Sequence, residues 1–424
     1  MFKKYLFYFS LLLFSSLKLS AQYDAPLFAA YTTDAARSKM NERLVANTIL
    51  KNLSFPLSDS TEENWEDAFG AMEVMDYNTP LTRRKIHHAF DSVGSSSISF
   101  QRALLEVCYS LYPRAFAKPV HLLADQTNDP KIFAMCAEYL LRYNPNDSVK
   151  ILLTKKLLQK FSDSASRNPI LFMLRTRLAT ASVNTFTPMD VLSEILSKNF
   201  LPNQIVMLSF QRKNRDYPGM VLIRNAAGNF ITDSLGKIFN VPQLARGISN
   251  LPFYLTNGNT PQGIFRMYGF GVSMSNFIGP TPNVQMGMPV EISMKKFLDD
   301  STILDSNWTI DRYQKLLPKK LKDYLPLYHS YYAGLAGRSE IIAHGTTIDP
   351  GYYSDKLYYP LTPTQGCLCT KEIWNGKRVE SDQQKLVNAL LKAGGGKGYC
   401  VVIEIDDKHM PVTMADLAPY LSKE

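Results

Sequence analysis

The chain has 424 residues, 45% hydrophobic and 20% charged, with a formal net charge of +9. It is long enough for two or more domains with proper cores. Five cysteines are too few and too scattered to build a disulfide-dependent fold, and no Lys/Arg run or aromatic-basic repeat points to nucleic acid.

In chain order, the first segment is "MFKKYLFYFSLLLFSSLKLSAQYDAP". Lys3 and Lys4 precede an apolar run, and Ala21 offers a small residue before Gln22. The pattern predicts a signal peptide over residues 1–21. The apolar run is short for a membrane span, which needs about 20 residues, although an uncleaved anchor is the competing reading. No later segment is apolar and long enough to span a bilayer. The expected location is therefore a periplasm or the cell envelope. Loss of Lys3, Lys4 and Lys18 lowers the net charge to +6, a mild basicity that favours an anionic partner.

Residues 22–200 read as an α-helical domain. "DAARSKMNERLVANTILKNL" sets Met40, Leu44, Ile49 and Leu50 near one face. Further amphipathic runs such as "FQRALLEVCYSLY" and "PKIFAMCAEYLLRY" follow, separated by breakers such as "NPND" and "SRNP". They predict packed antiparallel helices without a clean repeat period. Nothing in these residues selects between docking on a larger structure and binding a protein partner.

Residues 201–424 change character. The runs "QIVMLSF", "GMVLIRN", "NFITD", "PVEIS", "SEIIAHG" and "GYCVVIEI" predict strands, punctuated by Gly and Pro. Two inserted helices are expected. "IDRYQKLLPKKLKDYL" is interrupted by Pro318, and "SDQQKLVNALLKAGGG" has Ser381 and Gln384 at capping-box spacing with a glycine stop. The run "AGGGKG" follows a helix and precedes a strand, so it reads as a C-cap and turn rather than a phosphate cradle. The fold class is thus α+β multidomain, an α-helical domain followed by a mainly β domain.

"TPTQGCLCT" (residues 362–370) raises the chemical question. Five cysteines leave at least one unpaired in an exported chain. A dithiol at Cys367 and Cys369 is too closely spaced for an unstrained disulfide. A zinc site from Cys367, Cys369, Cys400 and His344 matches no trustworthy ligand spacing. A nucleophile reading needs a Cys, a His to take its proton and backbone donors for an oxyanion. Gly366 removes bulk before Cys367, and His344 ends an apolar strand in "IIAHGTTIDP".

"AHGT", a variable loop and "TPTQGCLCT" together resemble the L,D-transpeptidase family of bacterial cell-wall enzymes, whose signature is His-Gly, a loop and Ser/Thr-x-Gly-Cys. Thr364, Gln365, Gly366 and Cys367 match that second half. "NGNTPQGIF" (residues 257–265) resembles the family's TPxGxF segment, where a β-hairpin lines the active site. The resemblance covers roughly residues 200–410 and is silent about the helical half. It implies an L,D-transpeptidase-like catalytic domain with Cys367 as nucleophile and His344 as general base. Backbone N–H groups of Gly366 and Cys367 are implied as oxyanion donors, and Gly345, Thr364 and Gln365 as substrate-side residues. Peptidoglycan stem peptides are the implied partners, no metal or cofactor is required, and a thioester would be resolved by an amine or by water. Carboxypeptidase and endopeptidase outcomes stay open beside transpeptidation.

Two features depart from the pattern. The position two after the nucleophile, usually arginine, is Cys369; Arg338 and Arg266 are the candidates to replace its charge. The loop before Thr364 is long and tyrosine-rich, so Tyr352 and Tyr353 read either as substrate contacts or as half-buried anchors. Cys369 reads as a buried thiol or a partner of Cys400. Cys108 and Cys136 read as core, His87 and His88 as ordinary helix residues, His329 as core packing and His409 as an exposed turn residue. The alternative to an enzyme is a weak or inactive relative that binds peptidoglycan as a structural module.

Overall fold

The computed structural model describes residues 23–421 except 163, 180–186, 274 and 347–348. The expected signal segment, residues 1–21, lies outside them. Among the described residues no helix is long and apolar enough to cross a membrane.

The N-terminal half is helical, as its periodicity predicts. Helices α1 (Asp34–Arg43), α2 (Glu62–Val74), α3 (Pro80–Ser92), α4 (Ile98–Leu111), α5 (Ala117–Gln126), α6 (Pro130–Tyr143), α7 (Asp147–Phe161) and α8 (Pro169–Leu178) follow one another through short connections. The local chemistry explains the starts. Asp129 and Asn168 each accept two backbone N–H groups and are followed by proline at the first helical position, where a missing N–H costs nothing. Thr79 and Thr82 form a reciprocal capping box before α3. Trp65, Phe69, Phe100, Leu104, Phe133 and Leu174 are buried in one continuous core, which also contains Cys108 and Cys136.

The C-terminal half is an eight-stranded closed barrel. Its strands are β1 (Val206–Arg212), β2 (Gly219–Arg224), β3 (Val241–Leu244), β4 (Gly263–Gly271), β5 (Asn283–Gly287), β6 (Ala343–Gly345), β7 (Leu368–Thr370) and β10 (Lys397–Asp406). They close in the order β1-β10-β4-β5-β6-β7-β3-β2, while β8 (Glu372–Asn375) and β9 (Lys377–Ser381) form a separate hairpin. The pairs β1–β10 and β6–β7 are parallel. Met207, Val221, Phe265, Met286, Leu368 and Cys400 fill the interior together with Leu386 and Leu390 of α11 (Asp382–Ala393). Alternate residues of β1, β2, β4 and β10, including Leu208, Leu222, Ile264 and Ile403, face a second, outer cluster. α9 (Pro188–Leu196) packs there through Val191, Leu192 and Ile195, so in packing terms it belongs to the barrel although it precedes residue 200.

Several local expectations shift. "NFITD" forms isolated bridges rather than a strand, and the strand expected at "PVEIS" lies earlier, at β5. "IDRYQKLLPKKLKDYL" breaks into a short helix (Ile310–Gln314) and 3₁₀ turns, because Pro318 cannot continue the hydrogen-bond ladder. Ser381 does cap α11, but Gln384 turns its side chain to the N–H of Ala25 at 2.8 Å instead of closing the box.

Candidate functional site

Strand parity places the candidate residues. In β6 Ala343 joins the barrel interior, and in β7 Leu368 does the same. Side chains alternate along a strand, so His344, Cys367 and Cys369 project from the outer face. The parallel register sets His344 opposite Cys369, and Cys367 stands two residues before Cys369, immediately ahead of β7. The alternation carried one residue back from Leu368 puts the sequence-predicted nucleophile on the same face as the predicted base.

The turn before Cys367 is tightly built. Gly366 has φ +115°, and a Cβ there would collide with the Arg338 guanidinium, so glycine is required. Thr364 Oγ1 donates to Cys367 O at 2.8 Å and accepts the Gly366 N–H at 3.1 Å. Of the two expected oxyanion donors, Gly366 is therefore already engaged. The Cys367 N–H carries no hydrogen bond among the described residues. Thr260, in the TPxGxF-like segment, donates to Gly366 O at 2.8 Å, which brings that segment against the turn. Gln365 is exposed.

The thiol is partly buried. Its Sγ donates toward Glu340 O at 3.4 Å and accepts from the Ile342 N–H at 3.5 Å. Glu340 has φ +59°, an uncommon conformation for a residue with a side chain. Burial pushes the Cys367 thiol up to about 11; the Ile342 N–H and the Arg338 charge oppose the rise, while Glu340 and Glu291 add to it. At neutral pH the group is a neutral thiol.

His344 is 5% exposed. Its Nδ1 lies 2.8 Å from Gly345 O. A carbonyl only accepts, so Nδ1 carries the proton and Nε2 is the basic nitrogen. Burial lowers its pKa, against the Gly345 bond, and the ring is neutral near pH 7. No hydrogen bond joins it to Cys367 among the described residues; such bonds are often formed only in the substrate complex.

The charge expected from a family arginine is not replaced by a free side chain. Arg338 donates to the carbonyls of Phe253 (2.6 Å), Asn259 (2.8 Å), Gly258 (2.9 Å) and Gln365 (3.4 Å). It ties the TPxGxF-like segment to the Cys367 turn. Arg266 pairs with Asp299 at 2.8 Å and covers the Tyr399 ring. Cys369 is fully buried with Leu244, Tyr353, Tyr358 and Leu361, and all five cysteines are free thiols. Tyr353 donates to Val74 O at 2.6 Å and acts as an anchor, and half-buried Tyr352 packs on the same cluster. Among the described residues no group of His, Cys, Asp and Glu could hold a metal ion.

His329 stacks on Phe253 at 3.8 Å, and burial holds it neutral, near 3. Three acidic groups escaped sequence reasoning. Glu291 bonds the N–H groups of Met288 and Glu340, beside the thiol. Glu73 and Glu106 lie together where α2 and α4 meet the barrel. No sequence signal pairs residues 33 positions apart on different helices.

No family model, curated protein or solved structure matches this chain.

Proposed function

We propose that the chain is a cysteine acyltransferase of the L,D-transpeptidase type, acting on peptidoglycan stem peptides in the cell envelope. One observation carries the reading: Cys367, immediately ahead of β7, lies on the outer face that His344 of the adjacent parallel strand β6 also takes, with His344 in the tautomer that leaves Nε2 basic. In the reaction the thiol proton passes to His344 Nε2 as sulfur attacks a peptide carbonyl. Collapse of the tetrahedral intermediate expels an amine, which takes the proton back, and leaves a thioester. A second amine or water then releases the acyl group. The Cys367 N–H is the donor available to the oxyanion.

The second reading, a peptidoglycan-binding module without turnover, is favoured by the raised thiol pKa and by the engagement of both Arg338 and Arg266. Intact-mass measurement after incubation with stem tetrapeptides separates the two. The enzyme reading expects an acyl adduct on the wild type, none on Cys367→Ala, and formation about 10²–10⁴-fold slower in His344→Gln. Binding of tetrapeptide without any adduct or product would leave the module.

A further inference from the structure

A cavity of about 580 Å³ lies where α8 meets the barrel, at the carboxyl ends of the parallel strands β1 and β10. Its volume is that of a small-ligand pocket, about 300–1,000 Å³. Cys367, His344 and Gln365 do not line it. Its polar lining includes the buried side chains of Arg215 and Gln262, with Glu404 between barrel and solvent and the more exposed Arg177 and Lys213.

Gln262 is 3% exposed. Its Oε1 accepts the Glu404 N–H at 2.9 Å, which fixes the amide and leaves Nε2 without an acceptor among the described residues. That nitrogen is not sealed in protein, so its N–H donors open to the cavity. Glu404 is arranged the opposite way. Its Oε1 accepts from Arg215 Nη2 at 2.8 Å and Nε at 3.2 Å, and its Oε2 has no donor among the described residues. Arg177 commits Nε to Glu138 at 2.7 Å and leaves both Nη groups without an acceptor among the described residues. The Lys213 ammonium meets the Asp407 carboxylate only at 4.0 Å. Phe253, stacked against His329, and Pro252 give the same cavity an apolar side. The unengaged atoms of Gln262, Glu404 and Arg177 thus sit on side chains that another bond already holds, which is preorganisation for a ligand.

We propose that this cavity binds a sugar that carries an acidic group, its hydroxyls spanning Gln262 Nε2 and Glu404 Oε2 and its anion facing Arg177 and Lys213. A bare anion would meet the Glu404 carboxylate. A cation would meet an amide N–H and three positive side chains. A hydroxyl both donates and accepts, so two hydroxyls on neighbouring carbons satisfy the amide and the carboxylate together. Charge-assisted bonds to Arg177 and Lys213 then select an acidic sugar over a neutral one. The C–H face of the ring has the Phe253 side to pack on. Gln262 follows closely on Thr260, which bonds Gly366 O, so the occupant touches the segment that braces the Cys367 turn without contacting the thiol. The binding does not depend on the proposed acyl transfer.

Ligand-observed NMR titration of the full chain with D-glucuronate tests it, beside D-glucose and cyclohexanecarboxylate. We expect saturable binding of glucuronate, glucose bound about tenfold more weakly, and no binding of cyclohexanecarboxylate. Gln262→Glu keeps an oxygen for the Glu404 N–H and turns the free donor into an acceptor. Lys213→Glu reverses a charge on a side chain that is 70% exposed, a surface change that the fold tolerates. Each should weaken glucuronate binding about tenfold or more. Lys213→Glu should leave glucose binding unchanged, and Cys367→Ala should bind glucuronate as the wild type does. No saturable binding by the wild type, undiminished glucuronate binding by Lys213→Glu, equal affinity for glucose, or equal binding of cyclohexanecarboxylate would each overturn the proposal. The readout involves no thiol chemistry, so a failure of Cys367 to form an adduct is distinguished from a failure of this site.

Discussion

At the scale of single residues, the site sets a protonation problem. Thiolate is the reactive species, yet burial and the Glu340 and Glu291 carboxylates hold Cys367 protonated at neutral pH. His344 cannot correct this in the resting state, because burial keeps it neutral and it makes no bond to Sγ. The pH dependence of alkylation follows. Below the thiol pKa of about 11 the thiolate fraction rises tenfold per pH unit. Iodoacetamide labelling of Cys367, followed by peptide mass spectrometry, should therefore accelerate about tenfold per unit from pH 7 to 10 without levelling. A plateau below pH 8 would reveal a thiolate–imidazolium pair already formed, contrary to the geometry described.

At the scale of elements, parity in two short strands decides the site. Leu368 points into the barrel, so the residues on either side point out, and Cys369 meets the tyrosine-rich loop rather than a substrate. Placing at this position the arginine that the resembled family carries should fail. Cys369→Arg puts a guanidinium among Leu244, Tyr353, Tyr358 and Leu361, where the Cys369 thiol bonds only Thr362 and Thr370 among the described residues. A loss of roughly 3 kcal/mol or more in urea unfolding is expected for an unpaired buried charge. A variant as stable as the wild type would mean that residue 369 can turn toward the thiol. Much of this was legible beforehand. Alternation in "SEIIAHG" and "GYCVVIEI" marked strands, and Gly366 read as a removal of bulk before Cys367, whereas its positive φ and the Arg338 packed against it came only with the structure. Barrel closure was not legible. It depends on pairings such as Gln243 with Thr370, which no local pattern encodes. Nor was the engagement of Arg338, since a side chain that bonds four carbonyls looks in sequence like any free arginine.

At the scale of the whole molecule, the two halves share a core, so the helical half is not an appendage. Leu251, Tyr254 and Leu255, from the loop between β3 and β4, are buried in the helical cluster. Tyr254 donates to Glu138 Oε1 at 2.6 Å, and Arg177 meets Glu138 Oε2 at 2.7 Å. Lys356, in the loop before the Cys367 turn, pairs with Asp76 at 2.7 Å. The loop that ends at the TPxGxF-like segment is thus held from the helical side, and Arg338 passes that restraint to the Cys367 turn. Glu138→Ala isolates the link. It leaves the buried Tyr254 hydroxyl without its acceptor and the half-exposed Arg177 without its ion pair, at a cost of about 2–3 kcal/mol. Tyr254→Phe removes one neutral donor and leaves the ion pair, at a cost of about 1–3 kcal/mol. Trp65 is the one tryptophan of the helical half, and Trp308 and Trp374 belong to the barrel half. If the halves are one cooperative unit, Trp65→Phe and the double variant Trp308→Phe/Trp374→Phe should give coincident fluorescence transitions in urea, and Glu138→Ala should move both midpoints together. A shift confined to the protein that retains Trp65 would show that the helical half unfolds alone, and the proposed restraint on the Cys367 turn would have no mechanical basis.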